Sequence, residues 1–289
     1  MKRLLSFVLL LVMTLSSVLM LSCAKDADKV KVMVPNGVTL IAWGGLFDNN
    51  NVEIENVDGP SLLSGAFASQ SHDIIVAPLN LGAKLYNAGN TKYQLDSMIT
   101  FGNLYIVSKD GAALNDSLTD LGDKTLLAFG QNATPSIILE AALKAKNINC
   151  TIEYKNSVSE VVPFFVDTKE YSYDYAVVAE PVLSQLQINR GLNLNIVDLQ
   201  EVFDSGMDLI PQAGVFVNPE SKKLNKINQV LKALKDNINH LNQKPSEYAQ
   251  EITKYHKSFE NLTNEVIASA IQSGNVIDYK KAKDNKEVL

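Results

Sequence analysis

The sequence predicts an α/β chain folded as two lobes, and three observations predict it. Short apolar strands, small-residue loops and helical segments recur in series from Lys29 to Val197. Two long extended stretches stand apart from it, Ser97 to Ser108 within the series and Leu209 to Val217 after it. A helical tail follows from Ser221. The order is lobe, crossing, lobe, crossing, tail, so the tail returns to the first lobe. Lobe 1 is expected to hold residues 30–104 and 210–289, and lobe 2 residues 105–209.

The elements follow in chain order. Val30 to Val34 alternates as a half-buried strand and stops at Pro35-Asn36-Gly37. Val38 to Phe47 is apolar and helical, with Gly44-Gly45 weakening its end. Val52 to Val57 alternates again, and Ser61 is placed to cap a helix over Leu62 to Ala68. Asp73 to Ala77 is a continuous apolar run of the buried parallel kind, followed by helical Leu81 to Tyr86. After the first crossing, Lys124 to Phe129 is a strand, and Thr134-Pro135 reads as cap and first helical residue ahead of Ser136 to Lys146. Thr151 to Tyr154, Tyr173 to Ala179 and Leu194 to Val197 are strands, with helices over Ser157 to Phe165 and Val182 to Gln187. In the tail, Leu224, Ile227, Val230, Leu231, Leu234 and Ile238 recur at helical spacing.

Composition narrows the function classes. Of 289 residues 46% are hydrophobic and 20% charged, enough to bury a core. The formal net charge of −6 argues against a nucleic-acid partner. Two cysteines, Cys23 and Cys150, exclude a disulfide scaffold and a four-thiolate zinc site. Three histidines, His72, His240 and His256, leave little for a histidine-rich metal site, and neither a metal nor a cofactor is expected. His72 stands at a strand start away from the ligand end, and His240 and His256 are expected in solvent on the tail. Cys150 reads as a small buried apolar residue.

The N-terminus is an exception to this composition. Basic Lys2 and Arg3 precede an apolar run from Leu4 to Leu21, which ends at Ser22-Cys23 before polar Ala24 to Asp28. A run of this length can span a bilayer. Its junction resembles the lipobox of bacterial lipoproteins, although Met20 stands where such boxes usually carry Leu. That resemblance implies a signal peptide over 1–22, a diacylglycerol (with palmitate) on Cys23, a linker over 23–29, and a chain held outside the cytoplasmic membrane.

In open parallel sheets, ligands sit beyond the carboxyl ends of the strands, where helix N-termini converge. The candidate ligand-binding residues there are Asn36, Gly37, Ser61, Asn80, Asn103, Gln131, Asn132, Thr134 and Glu180. They are mainly amides and hydroxyls, suited to reversible binding. No Gly-rich phosphate motif, no G-x-S-x-G and no H-E-x-x-H occurs, and no catalytic residue is assigned. Glu180 either pairs with an amine or azole nitrogen of a ligand or is an acid at a helix start. Trp43 either stacks on a ligand or fills the core. Apart from Arg3, Arg190 is the only arginine, in a turn away from these loops, so a neutral or cationic, ring-containing ligand is favoured.

The segments VMVPNGV (Val32 to Val38), DIIVAPLNLGAKLY (Asp73 to Tyr86), FGNLYIVS (Phe101 to Ser108), FGQNATPSIILEAAL (Phe129 to Leu143) and YAVVAEPV (Tyr175 to Val182) resemble one family in their order and spacing. That family is the substrate-binding lipoproteins of ABC importers with the type II periplasmic-binding fold, in the nitrate/sulfonate/taurine-like branch that includes thiamine-precursor binders. The resemblance covers about residues 30–220. It implies a two-lobe fold that closes on a small molecule, a non-enzymatic monomer, and docking on an ABC permease. The alternative is an enzyme on the same fold, of the menaquinone-pathway lyase or pyrimidine-precursor synthase kind.

Overall fold

In the computed structural model, residues 28–166, 173–202, 210–254, 257–273 and 276–286 are described. The expected signal peptide, Cys23 and His256 lie outside them.

The first sheet takes its strands from both ends of the chain. β1 (Val30–Pro35), β2 (Val52–Val57) and β3 (Ile74–Pro78) are parallel, with β1 in the middle. The helices α1 (Val38–Trp43), α2 (Pro60–Ser69) and α3 (Leu79–Asn87) follow these strands. β4 (Gln94–Phe101) and the returning β10 (Pro211–Val217) are antiparallel to one another, and β10 also pairs with β3. A last strand, β11 (Ile277–Lys281), closes the order β11-β4-β10-β3-β1-β2. β11 corrects the expectation of a wholly helical tail. Its sequence, Ile-Asp-Tyr-Lys-Lys, is short and largely polar because it lies on the sheet edge.

The second sheet repeats the plan with the intervening chain. β6 (Thr125–Phe129) is parallel to β7 (Thr151–Lys155) and β8 (Tyr175–Val178), while β5 (Tyr105–Lys109) runs antiparallel to β8 and β9 (Leu194–Asp198). Its helices are α4 (Thr134–Ala145), α5 (Val158–Val166), α6 (Val182–Ser184) and α7 (Leu199–Val202).

Helices cover both faces of each sheet, which is why the inner strands β3, β6 and β8 are nearly continuous apolar runs, while the edge strands β2 and β7 are more polar and partly exposed. On one face of the first sheet, α1 packs with the tail helices α8 (Leu224–Gln243), α9 (Pro245–Ile252) and α10 (Asn264–Gln272) around Trp43, Leu234 and Tyr248. Trp43 is fully buried there, which settles its place in the core. The other face holds Met33, Leu63, Phe67 and Phe216. In the second sheet, Leu126, Leu139 and Val177 fill one face, and Leu127, Phe165 and Val178 the other.

Two expected caps are corrected. Gly59 precedes α2 and Pro60 begins it, so Ser61 lies within the first turn. Ala133 precedes α4, so Thr134 is its first helical residue. His240 is likewise not a free solvated group: its ring is half-buried against Tyr248, with Nε2 3.2 Å from Glu251 Oε2.

The tail is tied to the first lobe by Asp73, at the start of β3. Its carboxylate accepts from Lys31 N–H at 2.9 Å, Ser221 Oγ at 2.6 Å and Lys223 Nζ at 3.0 Å. Burial alone would raise its pKa, but these donors together hold it below the ordinary carboxylate range. Ionised Asp73 therefore stabilises the fold fully above the unfolded carboxylate value, about 3.9. That stability is lost as pH falls through the lower folded value. Asp73→Asn should cost about 2 kcal/mol at pH 7. Urea midpoints should show the gap from wild type narrowing as pH falls below about 4; a gap that stays constant into strong acid would contradict this assignment.

Candidate functional site

The chain passes between the sheets twice, and the two passages touch. Gly102 N–H donates to Ile210 O at 2.8 Å, and Ile210 N–H donates to Gln200 Oε1 at 3.0 Å. Gly102 has φ +55°, and a Cβ there would stand 2.6 Å from Gln200 Oε1, so glycine suits this corner and a larger residue would displace the Gln200 side chain. Beside it Asn103 also takes a positive φ, 62°, and its Oδ1 accepts from Glu180 N–H at 2.7 Å. These contacts set the strand-end loops of both lobes around one cleft.

The candidate residues fall into three groups. Gly37, Asn103 and Glu180 come together: a Cβ on Gly37 would lie 3.9 Å from Glu180 O across the lobes. Asn80 and Thr134 come together where the first turns of α3 and α4 meet, with Thr134 Oγ1 donating to Asn80 Oδ1 at 3.0 Å. The remaining four are not drawn in. Asn36 spends its amide within its own lobe, donating to Asp58 Oδ1 at 2.6 Å and accepting from Asn56 at 3.0 Å. Ser61, Gln131 and Asn132 are exposed on the two rims.

Glu180 follows β8 and precedes Pro181 through a cis peptide. Its side chain is 3% exposed. One carboxylate oxygen accepts from Ser184 N–H at 3.1 Å and the other from Ser184 Oγ at 3.0 Å. Burial pushes its pKa up, and the bonds from Ser184 offset this only in part. Ser184 Oγ also lies 2.9 Å from Ser269 Oγ on α10, which belongs to the other lobe. Tyr105 adds a longer link, its hydroxyl donating to Ser273 O at 3.4 Å.

Sequence reasoning missed this back wall. Ser269 on α10 and Ser273 at its C-terminal cap stand four residues apart, and polar residues beside the buried Ile267, Ala270 and Ile271 were the available signal. Gln212, in the return strand β10, was also missed; its Nε2 is buried with no partner among the described residues. Among the described residues, no helix is long and apolar enough to cross a membrane.

No family model matches the sequence, and no curated protein does. Solved structures do. An ABC transporter from Parabacteroides distasonis superposes with TM-score 0.71 at 26% identity, covering 90% of this chain and 89% of its own. An alkanesulfonate-binding protein from Xanthomonas axonopodis pv. citri, bound to MOPS, gives 0.64 at 15%, covering 88% and 86%. A ligand-binding component of an ABC-type import system from Staphylococcus aureus, with zinc bound, gives 0.65 at 14%, covering 90% and 89%. The chain has the two-lobe periplasmic-binding-protein fold. Within that fold the candidate residues occupy the facing strand ends, and Glu180 and Ser184 form the buried seam behind them.

The seam gives a signed prediction. Glu180 has a raised folded pKa, so its ionisation is penalised in the folded state, and its contribution to stability falls as pH rises through the folded value. Glu180→Gln keeps an acceptor for Ser184 and removes that penalty, so its stability relative to wild type should rise from pH 4 to pH 7. Glu180→Leu orphans the Ser184 N–H and should cost about 1 to 3 kcal/mol. Urea denaturation of both variants checks this; a Gln variant whose relative stability falls with pH would contradict it.

Proposed function

We propose that this protein is an extracytoplasmic solute-binding lipoprotein, which captures a small molecule between its lobes and delivers it to an ABC-importer permease. The observation that carries the reading is the cleft itself. Two complete α/β cores, joined by paired crossings, present the first turns of α3 and α4 to one another through a single side-chain bond, Thr134 to Asn80. Such a contact is worth about 1 kcal/mol, weak enough to open and close around a ligand. Likeness to the Parabacteroides distasonis ABC transporter over nearly the whole chain supports the same reading.

The ligand sits among the loops carrying Asn36, Gly37, Ser61, Asn80, Asn103, Gln131, Asn132, Thr134 and Glu180. With both Glu180 oxygens engaged by Ser184, the neutral side of the neutral-or-cationic expectation is the stronger. Lipidation of Cys23 would hold the chain on the outer surface of the membrane as a monomer. His72 supports binding rather than catalysis: it contacts Ser71 and Glu55, at the opposite end of the sheet from the cleft.

Mass spectrometry of small molecules released from the purified protein by denaturation should identify a stoichiometric ligand. Adding that ligand back should compact the protein in solution scattering. A protein that releases nothing and whose scattering is unchanged by a broad set of solutes would contradict the capture reading. In cells, Cys23→Ala should leave an unprocessed precursor or shed the protein to the medium. Membrane retention of this variant at mature size would contradict the anchor.

A further inference from the structure

Beside the Asn80–Thr134 bond, a groove of about 680 Å³ leaves the cleft and runs along the flank of the first lobe. One wall is α3, with Leu79, Ala83 and Tyr86. Ile137 on α4 closes the groove from the second lobe, and Phe216 on β10 lies in its floor. From Pro211 at the cleft to Phe216 the strand rises roughly 16 Å, so the groove is elongated. Its volume lies within the range of small-molecule pockets, about 300 to 1,000 Å³.

The chemistry of the lining is one-sided. No described residue that lines the groove carries a charge. A sulfonate or an ammonium placed there would be desolvated without a partner. Tyr86 and Ile137 are 55% and 54% exposed, among the most exposed large apolar side chains, and they meet this one groove from opposite lobes. Apolar surface held open on both sides of a groove marks a binding site more often than a surface accident.

The floor is rigid. The Phe216 ring packs edge-on against Phe67 at 5.4 Å, and Phe67 packs in the same way on Tyr93 at 5.2 Å. Gly82 admits the Phe216 ring, since a Cβ there would stand 2.2 Å from it. These packed rings hold the floor in place, and Tyr86 on the wall is the aromatic side chain left open to a flat ring. At the cleft end, Asn80 keeps N–H donors beyond the bond its oxygen accepts from Thr134.

We infer that this groove binds an uncharged, ring-bearing and largely apolar molecule, with its polar end at Asn80 and Thr134. The inference rests on the solute-capture reading and narrows it to a ligand class. Two dyes of one skeleton test it: neutral N-phenylnaphthylamine and its sulfonated counterpart, anilinonaphthalene sulfonate, both bright only in apolar surroundings.

The purified protein should bind the neutral dye saturably, at least about tenfold more tightly than the sulfonated one. Ile137→Glu and Ala83→Glu should each weaken the neutral dye about tenfold or more. Leu224→Glu, at a comparably exposed apolar site on α8, should leave it unchanged, and the exposure of Ile137 and Leu224 lets those variants fold. No saturable binding of the neutral dye, equal or tighter binding of the sulfonated dye, or groove variants that bind like wild type would each overturn the inference. Taurine binding with compaction, in the absence of dye binding, would overturn the groove and leave solute capture standing.

Discussion

A single backbone bond, Gly102 N–H to Ile210 O, ties together the two passages of chain between the lobes. Everything else in the cleft is positioned from it. The outgoing passage continues through Asn103, which holds the Glu180 amide, and the returning passage enters β10, the strand that supplies the groove floor. Glycine suits position 102 because its φ is positive and the Gln200 side chain approaches where a Cβ would stand. Since Gln200 also accepts from Ile210, one side chain braces the return passage while its close approach fixes the residue on the outgoing one. Both passages between the lobes thus meet at the same few residues.

Around this meeting point the two sides of the cleft differ in kind. At the back, Glu180, Ser184 and Ser269 form a buried polar chain that crosses between lobes. A buried polar group is costly unless bonded, so this seam holds register where the lobes meet. At the front, the Thr134–Asn80 contact stands alone beside apolar surface. A paired seam at the back and one weak side-chain contact at the front are the arrangement that the proposed closing on a ligand requires.

Much of the architecture was legible because local and global signals agree. Asp73 to Ala77 reads as a strand buried on both faces and is one, and Gly130 to Pro135 reads as loop and helix start and is one. The failures have local causes. Ser61 and Thr134 have the chemistry of caps, but Gly59 and Ala133 take the cap positions, two residues and one residue earlier, which frees Thr134 to bond across the cleft. β11 was hidden because an edge strand needs no apolar run. The site was only half legible. Loop positions follow from topology, and so the pairing of Gly37 with the Glu180 carbonyl could be anticipated in kind. The groove could not, because it joins Tyr86, Ile137 and Phe216 from three distant segments, and only their packing brings these side chains together.

The central claim is a hinge between two independently cored lobes, and the distance across the rim tests it most directly. Spin labels at Leu62 and Asn132, one exposed position on each lobe, can be measured in a Cys150→Ser background. The same labels are then read with Thr134→Val and Ser269→Ala added, which remove side-chain links across the cleft and leave both cores intact. The account predicts a longer and broader distance distribution in the doubly substituted protein. An equally narrow distribution at the same distance in both would show that the lobes form one rigid body, and would contradict it.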